Sequence, residues 1–204
     1  PAAGGSAAAL ALCVQRPGEV MYFGSGLPHA TCNLEPFVLG LGAQGHAGDW
    51  PPLHRAARAG DATLVRRLGE QDGEVDAASR GGARPIHLAV AGGHLEATRL
   101  LVGFAADLRA RDQEGKHAVI HAAERGDVDI LRYLLDAGAP LRRGDRQRTQ
   151  AVHWAALSGH APALALLLRR RASVRARDRA GTEPLHWAAL ESDTSTVALL
   201  LEAR

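Results

Sequence analysis

Four histidines recur at 33 residues or a multiple of it, at His54, His87, His153 and His186. Imidazole transfers protons near neutral pH and binds zinc, so the series suggests a catalytic or metal site. Equivalent side chains of stacked helical units would lie about 10 Å apart, whereas zinc needs its ligands within about 2.1 Å. A residue that recurs once per unit is typical of a fold signature, so these histidines are predicted to be structural.

Two tryptophans share another position of the same period. Trp154 and Trp187 are 33 residues apart, and His121 stands one unit earlier, because Ile120 occupies the histidine position there. Tryptophan is enriched among residues that dominate binding energy at interfaces. The alternative is that both rings mainly pack between units, as large aromatic side chains usually do. Near the same helix ends fall Leu157, Ser158, Leu190 and Glu191.

Arginines form a second candidate site. The chain has 23 arginines and one lysine, Lys116. Stacked units would align the arginines along one edge as a basic ladder suited to an acidic peptide or to phosphate groups. The alternative is a solvated edge of codon-biased arginines, partly neutralised by nearby aspartates. The ladder positions are Arg109, Arg142 and Arg175 in one column and Arg111 and Arg177 in another.

The period also predicts the elements that carry these side chains. Prolines suit the first turn of a helix, a glycine in the left-handed conformation ends one, and aspartate caps the next. An Asp-x-x-Gly pattern then predicts a type I turn. The unit is therefore a helix, a turn, a second helix and a protruding turn or hairpin. The prolines are Pro52, Pro85 and Pro184; the glycines Gly60, Gly93, Gly126 and Gly159; the aspartates Asp61, Asp127 and Asp193.

These units resemble ankyrin repeats. Residues 183–189 read EPLHWAA and residues 84–89 read RPIHLA, close to that family's TPLHxAA signature, and residues 106–112 match its loop. The resemblance implies an all-α solenoid of stacked helix-turn-helix repeats with short β-hairpin or turn tips and a concave protein-binding surface. The signature threonine is missing from every repeat. Arg148 and Arg171 replace turn glycines, which predicts positive φ angles with mild strain.

The repeats divide the chain. Residues 1–49 contain four charged residues and many glycines, so they are predicted to be a low-complexity, disordered leader. Repeats follow at 50–82, 83–115, 116–148 and 149–181, with a truncated one at 182–204. Leu199, Leu200 and Leu201 would lie on a last helix that has no polar cap, so the natural protein is expected to continue beyond Arg204.

Several kinds of function have no support in the sequence. P-loop, dinucleotide-fold, zinc-protease and hydrolase motifs are missing. So are a convincing signal peptide and a membrane-spanning stretch. The expectation is an intracellular, cytoplasmic or nuclear protein without catalysis, cofactor, metal, small-molecule substrate or membrane insertion. We expect it to bind a protein partner with an acidic segment. The formal net charge of +2 disfavours nucleic acid, although polyanion binding by the arginine ladder remains the alternative.

Overall fold

The protein is described by a computed structural model over residues 50–72, 74–190 and 193–203. The predicted leader, residues 1–49, lies outside these residues. Within them the chain forms ten helices and no strand. The helices are α1 Pro52–Ala59, α2 Ala62–Asp72, α3 Pro85–Gly92, α4 Leu95–Gly103, α5 Ala118–Arg125, α6 Val128–Asp136, α7 Ala151–Leu157, α8 Ala161–Arg169, α9 Pro184–Leu190 and α10 Thr194–Glu202.

The helices form two layers. The first helices of the repeats, α1, α3, α5, α7 and α9, contact one another in order, and the second helices α2, α4, α6, α8 and α10 form the other layer. One continuous core of buried leucine, isoleucine, valine and alanine runs between the layers. The predicted all-α repeat solenoid is therefore confirmed.

Local chemistry sets most helix ends as the sequence predicts. Gly60, Gly93 and Gly126 end α1, α3 and α5 with φ angles of 72°, 77° and 76°. The Asp127 carboxylate accepts a hydrogen bond from the backbone of Ile130 at the start of α6. The Asp193 carboxylate caps α10 in the same way. Glycine and aspartate together therefore separate the two helices of the third repeat, whereas His94 and His160 stand at the aspartate position before α4 and α8.

The predicted tips take the form of closed turns. In the tip before α5, the backbone N–H of Asp112 donates to the carbonyl of Lys116 over 3.1 Å. The Asp112 carboxylate accepts backbone N–H groups of Glu114 and Lys116 at 2.8 and 2.9 Å. Asp145 and Asp178 make the same pattern in the next two tips. A rigid turn therefore precedes each of α5, α7 and α9.

The first repeat departs from the pattern for a packing reason. Gly69 stands where Val102 and Leu135 stand in later repeats. A Cβ atom at Gly69 would lie 2.5 Å from the Phe104 ring, which comes from the second repeat. The ring occupies the space that the apolar side chain fills elsewhere. Gly69 is therefore a steric requirement of its neighbour.

Positive φ angles at non-glycine residues are the strained points of the backbone. The prediction for Arg148 and Arg171 is confirmed, with φ angles of 62° and 64°, and Ala105 adds a third at 63°. All three residues are exposed. Left-handed backbone costs an ordinary residue about 1–2 kcal/mol.

Replacing Arg171 with glycine is expected to raise the free energy of unfolding by about 0.5–1 kcal/mol. Glycine removes the steric cost of the left-handed backbone, although its greater freedom in the unfolded chain offsets part of the gain. Urea unfolding followed by circular dichroism measures the change. Arg171→Ala is the control, since it removes the same side chain but keeps the strain. Equal stabilisation by both variants would contradict the backbone explanation.

Candidate protein-binding surface

The two tryptophans lie side by side on neighbouring first helices. The ring centroids of Trp154 on α7 and Trp187 on α9 are 6.0 Å apart, with an interplanar angle of 55°. Trp187 also packs edge-on against the His153 ring, with centroids 6.1 Å apart. Both tryptophans are half-buried. The rings therefore pack between repeats and also leave part of their surface to solvent, and their role in partner binding stays a prediction.

Leucines extend this surface at the ends of the same helices. Leu190 at the end of α9 is 76% exposed, and Leu157 at the end of α7 is half-buried. Ser158 follows α7 and is exposed. Glu191 lies outside the described residues. We call Trp154, Trp187, Leu157 and Leu190 the aromatic patch.

An aspartate in the tip orients the side chain nine residues later. Asp112 Oδ2 lies 2.8 Å from His121 Nε2, and Asp178 Oδ2 accepts the indole N–H of Trp187 over 3.2 Å. Burial opposes ionisation of Asp112, but hydrogen bonds from His121 and from the Lys116 backbone outweigh it and lower the pKa of Asp112 to about 2. His121 therefore belongs to the same row of side chains as the tryptophans, although it is tied to its own tip.

The fourth repeat breaks this pattern. The indole Nε1 of Trp154 is buried and has no hydrogen-bond partner within the described residues. Its equivalents His121 and Trp187 both reach the aspartate of their own tip. Two tryptophans at one repeat position therefore have different polar environments.

The histidine series has a structural role. His87 Nδ1 accepts the backbone N–H of Arg84, and its Nε2–H donates to the carbonyl of Ala110 over 3.2 Å. His153 makes equivalent bonds to Gln150 and Ala176. Each ring thus joins the start of its helix to the following tip.

The first and third repeats lack this pair of hydrogen bonds, because Pro51 precedes His54 in the first repeat and Ile120 replaces the histidine in the third. At His54 the residue three positions earlier is Pro51, which has no N–H, and His54 Nδ1 is buried without a hydrogen-bond partner in the described part of the chain. In the third repeat His117 instead donates from Nδ1 to the Ala110 carbonyl over 3.0 Å.

The predicted arginine ladder follows the row of tips. Arg109, Arg111, Arg142, Arg175 and Arg177 are all exposed. Neighbouring tips are joined by backbone hydrogen bonds, from Arg146 to Glu114 over 3.2 Å and from Arg179 to Gln147 over 2.7 Å. The three tips that carry the ladder arginines are therefore linked to one another by backbone hydrogen bonds.

The charge along this ladder is uneven. Segments 73–84 and 104–117 each carry as many acidic as basic residues. Segment 137–150 has four arginines against Asp145, and segment 170–183 has five against Asp178 and Glu183, so each has a formal charge of +3. We call 137–150 and 170–183 the basic tips. Aspartate and glutamate therefore balance the basic residues in segments 73–84 and 104–117 but not in the two basic tips.

The comparison with family models supports the resemblance. A model described as ankyrin repeats, in three copies, matches residues 53–145, 98–178 and 141–204. The chain belongs to the ankyrin repeat family. Ankyrin repeats are in general protein–protein interaction modules, and the family is typically non-catalytic. A comparison with curated proteins found no match.

The described residues of this ankyrin domain contain no group of three or more histidine, cysteine, aspartate or glutamate residues arranged to hold a metal ion. Among the same residues, no helix has the length and apolar character needed to cross a membrane.

Lys116 is the site residue that sequence reasoning missed. Its Nζ lies 3.0 Å from both Glu114 Oε2 and Glu124 Oε2, and 4.0 Å from the centroid of the Trp154 ring. Burial opposes protonation, but the two carboxylates outweigh it and raise the pKa of Lys116. The signal in the sequence was its type, a single lysine among 23 arginines. The ammonium group offsets one of these two negative charges and covers one face of Trp154.

Lys116 is expected to react with an amine-directed ester at least about tenfold more slowly than an exposed lysine, because it is buried and its raised pKa removes free amine. Its side chain is only 8% exposed. The variant Arg66→Lys supplies an exposed lysine on α2 as an internal standard. Peptide mass spectrometry measures both rates in one sample. Equal rates in the folded protein would contradict the buried ion cluster.

Proposed function

We propose that this ankyrin domain is a non-catalytic scaffold that binds a partner protein through the first-helix surface, with the aromatic patch as anchor. The observation that carries the proposal is the exposure of Leu190, 76%, beside two half-buried tryptophans. Clustered apolar surface on a folded domain marks interaction sites. Tryptophan is enriched among the residues that dominate binding energy in protein interfaces. A location in the cytoplasm or nucleus is part of the same proposal, supported by the low cysteine content of the chain.

The test is selection from a displayed library of random 12-residue peptides, followed by fluorescence anisotropy on the enriched peptides. Leu190→Ser is expected to weaken their binding about tenfold, because it removes about 1–2 kcal/mol of apolar contact. An exposed residue is substituted so that the fold is retained. Trp187→Ala should weaken binding at least as much.

Leu201→Ser is the matched control. Leu201 is 53% exposed on α10, in the second-helix layer, so its replacement should leave affinity unchanged. Circular dichroism verifies the helical content of every variant. Unchanged affinity of both Leu190→Ser and Trp187→Ala, with helicity retained, would refute binding at the aromatic patch.

Polyanion binding is the second candidate, favoured by the formal charge of +3 on each basic tip. It predicts that a labelled single-stranded DNA binds with a steep salt dependence. The triple variant Arg109→Ala, Arg142→Ala and Arg175→Ala should then abolish binding, whereas Leu190→Ser should not affect it. Protein binding at the aromatic patch predicts instead that Leu190→Ser weakens binding, so the response to Leu190→Ser separates the two candidates.

A further inference from the structure

The aromatic patch and the basic tips belong to the same part of the stack. The indole of Trp187 donates to Asp178, which lies between Arg177 and Arg179 in the second basic tip. Arg179 in turn bonds through its backbone to Gln147 of the first basic tip. The patch is therefore bordered by positive charge on the side of the tips.

Much of this charge has no ion-pair partner among the described residues. Arg142 donates to the backbone carbonyl of Arg171, Arg170 pairs with Asp136, and Arg177 lies 3.7 Å from Glu183. Arginines that make no ion pair with a described residue are available to a ligand. They are Arg143, Arg146, Arg148, Arg175 and Arg179.

Beside Trp154, negative charge is partly neutralised. Glu114 and Glu124 both bind the ammonium group of Lys116, which lies over the Trp154 ring, so this cluster has one formal negative charge instead of two. A negatively charged ligand therefore meets less repulsion near Trp154 and attraction from the arginines of the basic tips. Complementary charge of this kind selects partners and raises association rates.

Resting on the proposed function, we infer that the partner segment is an extended acidic peptide. An apolar side chain of the peptide packs on Trp187 and Leu190, and its aspartate or glutamate carboxylates pair with the arginines of the basic tips. Arginine binds carboxylates through two parallel hydrogen bonds, which favours this pairing over a diffuse attraction.

Helix geometry sets the spacing within the peptide. The helix α9, Pro184–Leu190, begins directly after the second basic tip and has seven residues including Leu190, a length of about 10 Å. An extended peptide rises about 3.3 Å per residue. The first carboxylate should therefore lie about three residues from the apolar anchor.

A nucleic acid fits these observations less well. Its bases would need aromatic platforms along the basic groove, whereas the basic tips contain no aromatic residue. It would also leave the exposed Leu190 without a role. A protein segment that combines apolar and acidic side chains uses both features.

The experiment repeats the random-peptide selection on two variants of equal charge change. One is Arg175→Glu with Arg179→Glu in the second basic tip. The other is Arg66→Glu with Arg67→Glu, two exposed residues on α2. The unmodified protein should enrich peptides with an apolar residue and carboxylates about three residues away. The tip variant should enrich peptides with basic flanks and bind the original peptides at least tenfold more weakly, whereas the α2 variant should resemble the unmodified protein.

The outcomes separate this inference from the proposed function. Enrichment of apolar peptides without acidic residues, or a tip variant with unchanged selection, overturns the acidic partner and leaves the patch as a binding site. Enrichment that does not depend on Leu190 and Trp187, or no enrichment, overturns both. If single-stranded DNA or phosphatidylserine vesicles displace an enriched peptide at 0.15 M salt more strongly than free peptide does, the ligand of this surface is the nucleic acid or the membrane, and the acidic peptide is overturned.

Discussion

Leu134→Ala is expected to lower the free energy of unfolding by about 3–4 kcal/mol. Leu134 lies on α6 in the third repeat and is fully buried, at 0% exposure. Truncation of such a leucine removes its apolar contacts and leaves a cavity that the surroundings fill only in part, which typically costs 2–5 kcal/mol. The helices on either side, α4 and α8, and the partner helix α5 all contact α6. The cavity would therefore weaken both neighbouring repeats.

The position of this cavity should also change the cooperativity of unfolding. In a repeat array each unit is stabilised by its nearest neighbours, so a weak central unit uncouples the two ends. Urea unfolding followed by circular dichroism should show a broader transition with a smaller m-value, as well as a lower midpoint. Leu201→Ala is the control, because Leu201 is 53% exposed on α10 and should cost less than about 1 kcal/mol. Equal losses from the two variants would contradict the assigned burial.

The parts of the fold that the sequence predicted are those set by local chemistry. A glycine with positive φ ends each of α1, α3 and α5, and an aspartate caps α6 and α10. Each of these signals acts within a few residues of the chain. The 33-residue period aligns equivalent positions of successive repeats, and this alone predicts that Trp154 and Trp187 lie side by side.

The parts that escaped prediction depend on side chains from different repeats. Trp154 and Trp187 share a repeat position, yet Lys116 covers only Trp154, and only Trp187 bonds its tip aspartate. Trp154 is covered because the preceding repeat supplies Lys116, the single lysine of the chain. Gly69 likewise follows from the Phe104 ring of the next repeat. A periodic pattern averages over such pairs and cannot distinguish them.

The charge on the tips also depends on which residues of different repeats lie next to one another. The ladder of Arg109, Arg142 and Arg175 was visible as a column. The residue charges divide the ladder into neutral and basic tips, and the backbone hydrogen bonds between tips show that the two basic tips are neighbours in space. Neutralised tips and tips with excess positive charge are therefore both present, on different repeats.

Acidification from pH 7 to pH 4.5 is expected to destabilise this domain by several kcal/mol through its buried histidines. Burial, with a smaller effect of the nearby His121 ring, lowers the pKa of His87 from 6.5 to about 4. Burial also lowers the pKa of His54, His117 and His153. Between these values and 6.5 the unfolded chain binds protons that the folded protein does not, so protonation favours unfolding.

The sign and the window of this effect follow from the same pKa values. Stability is complete above about pH 7.5, where all four histidines are largely neutral in both states, and it falls as the pH decreases through 6.5 toward 4. His87 alone contributes on the order of 3 kcal/mol over this range, because one pKa unit corresponds to about 1.4 kcal/mol. Asp112 does not interfere, since its pKa is lowered to about 2 and its contribution is lost only below about pH 4.

Urea unfolding at pH 7.5, 6.5, 5.5 and 4.5 measures the dependence, and His87→Ile is the informative variant. Isoleucine already stands at this repeat position as Ile120, where it is buried on α5, so the fold accepts it. The substitution removes the hydrogen bonds of His87 to Arg84 and Ala110, and it should lower stability at pH 7.5. It also removes the buried titrating group, and the loss between pH 6.5 and 4.5 should shrink by the share that His87 supplies. The free energy of unfolding of the variant, plotted against pH, could instead run parallel to that of the unmodified protein. This result would show that His87 does not couple acid to unfolding, because the slope of the plot measures proton uptake on unfolding and a constant difference between the two plots does not.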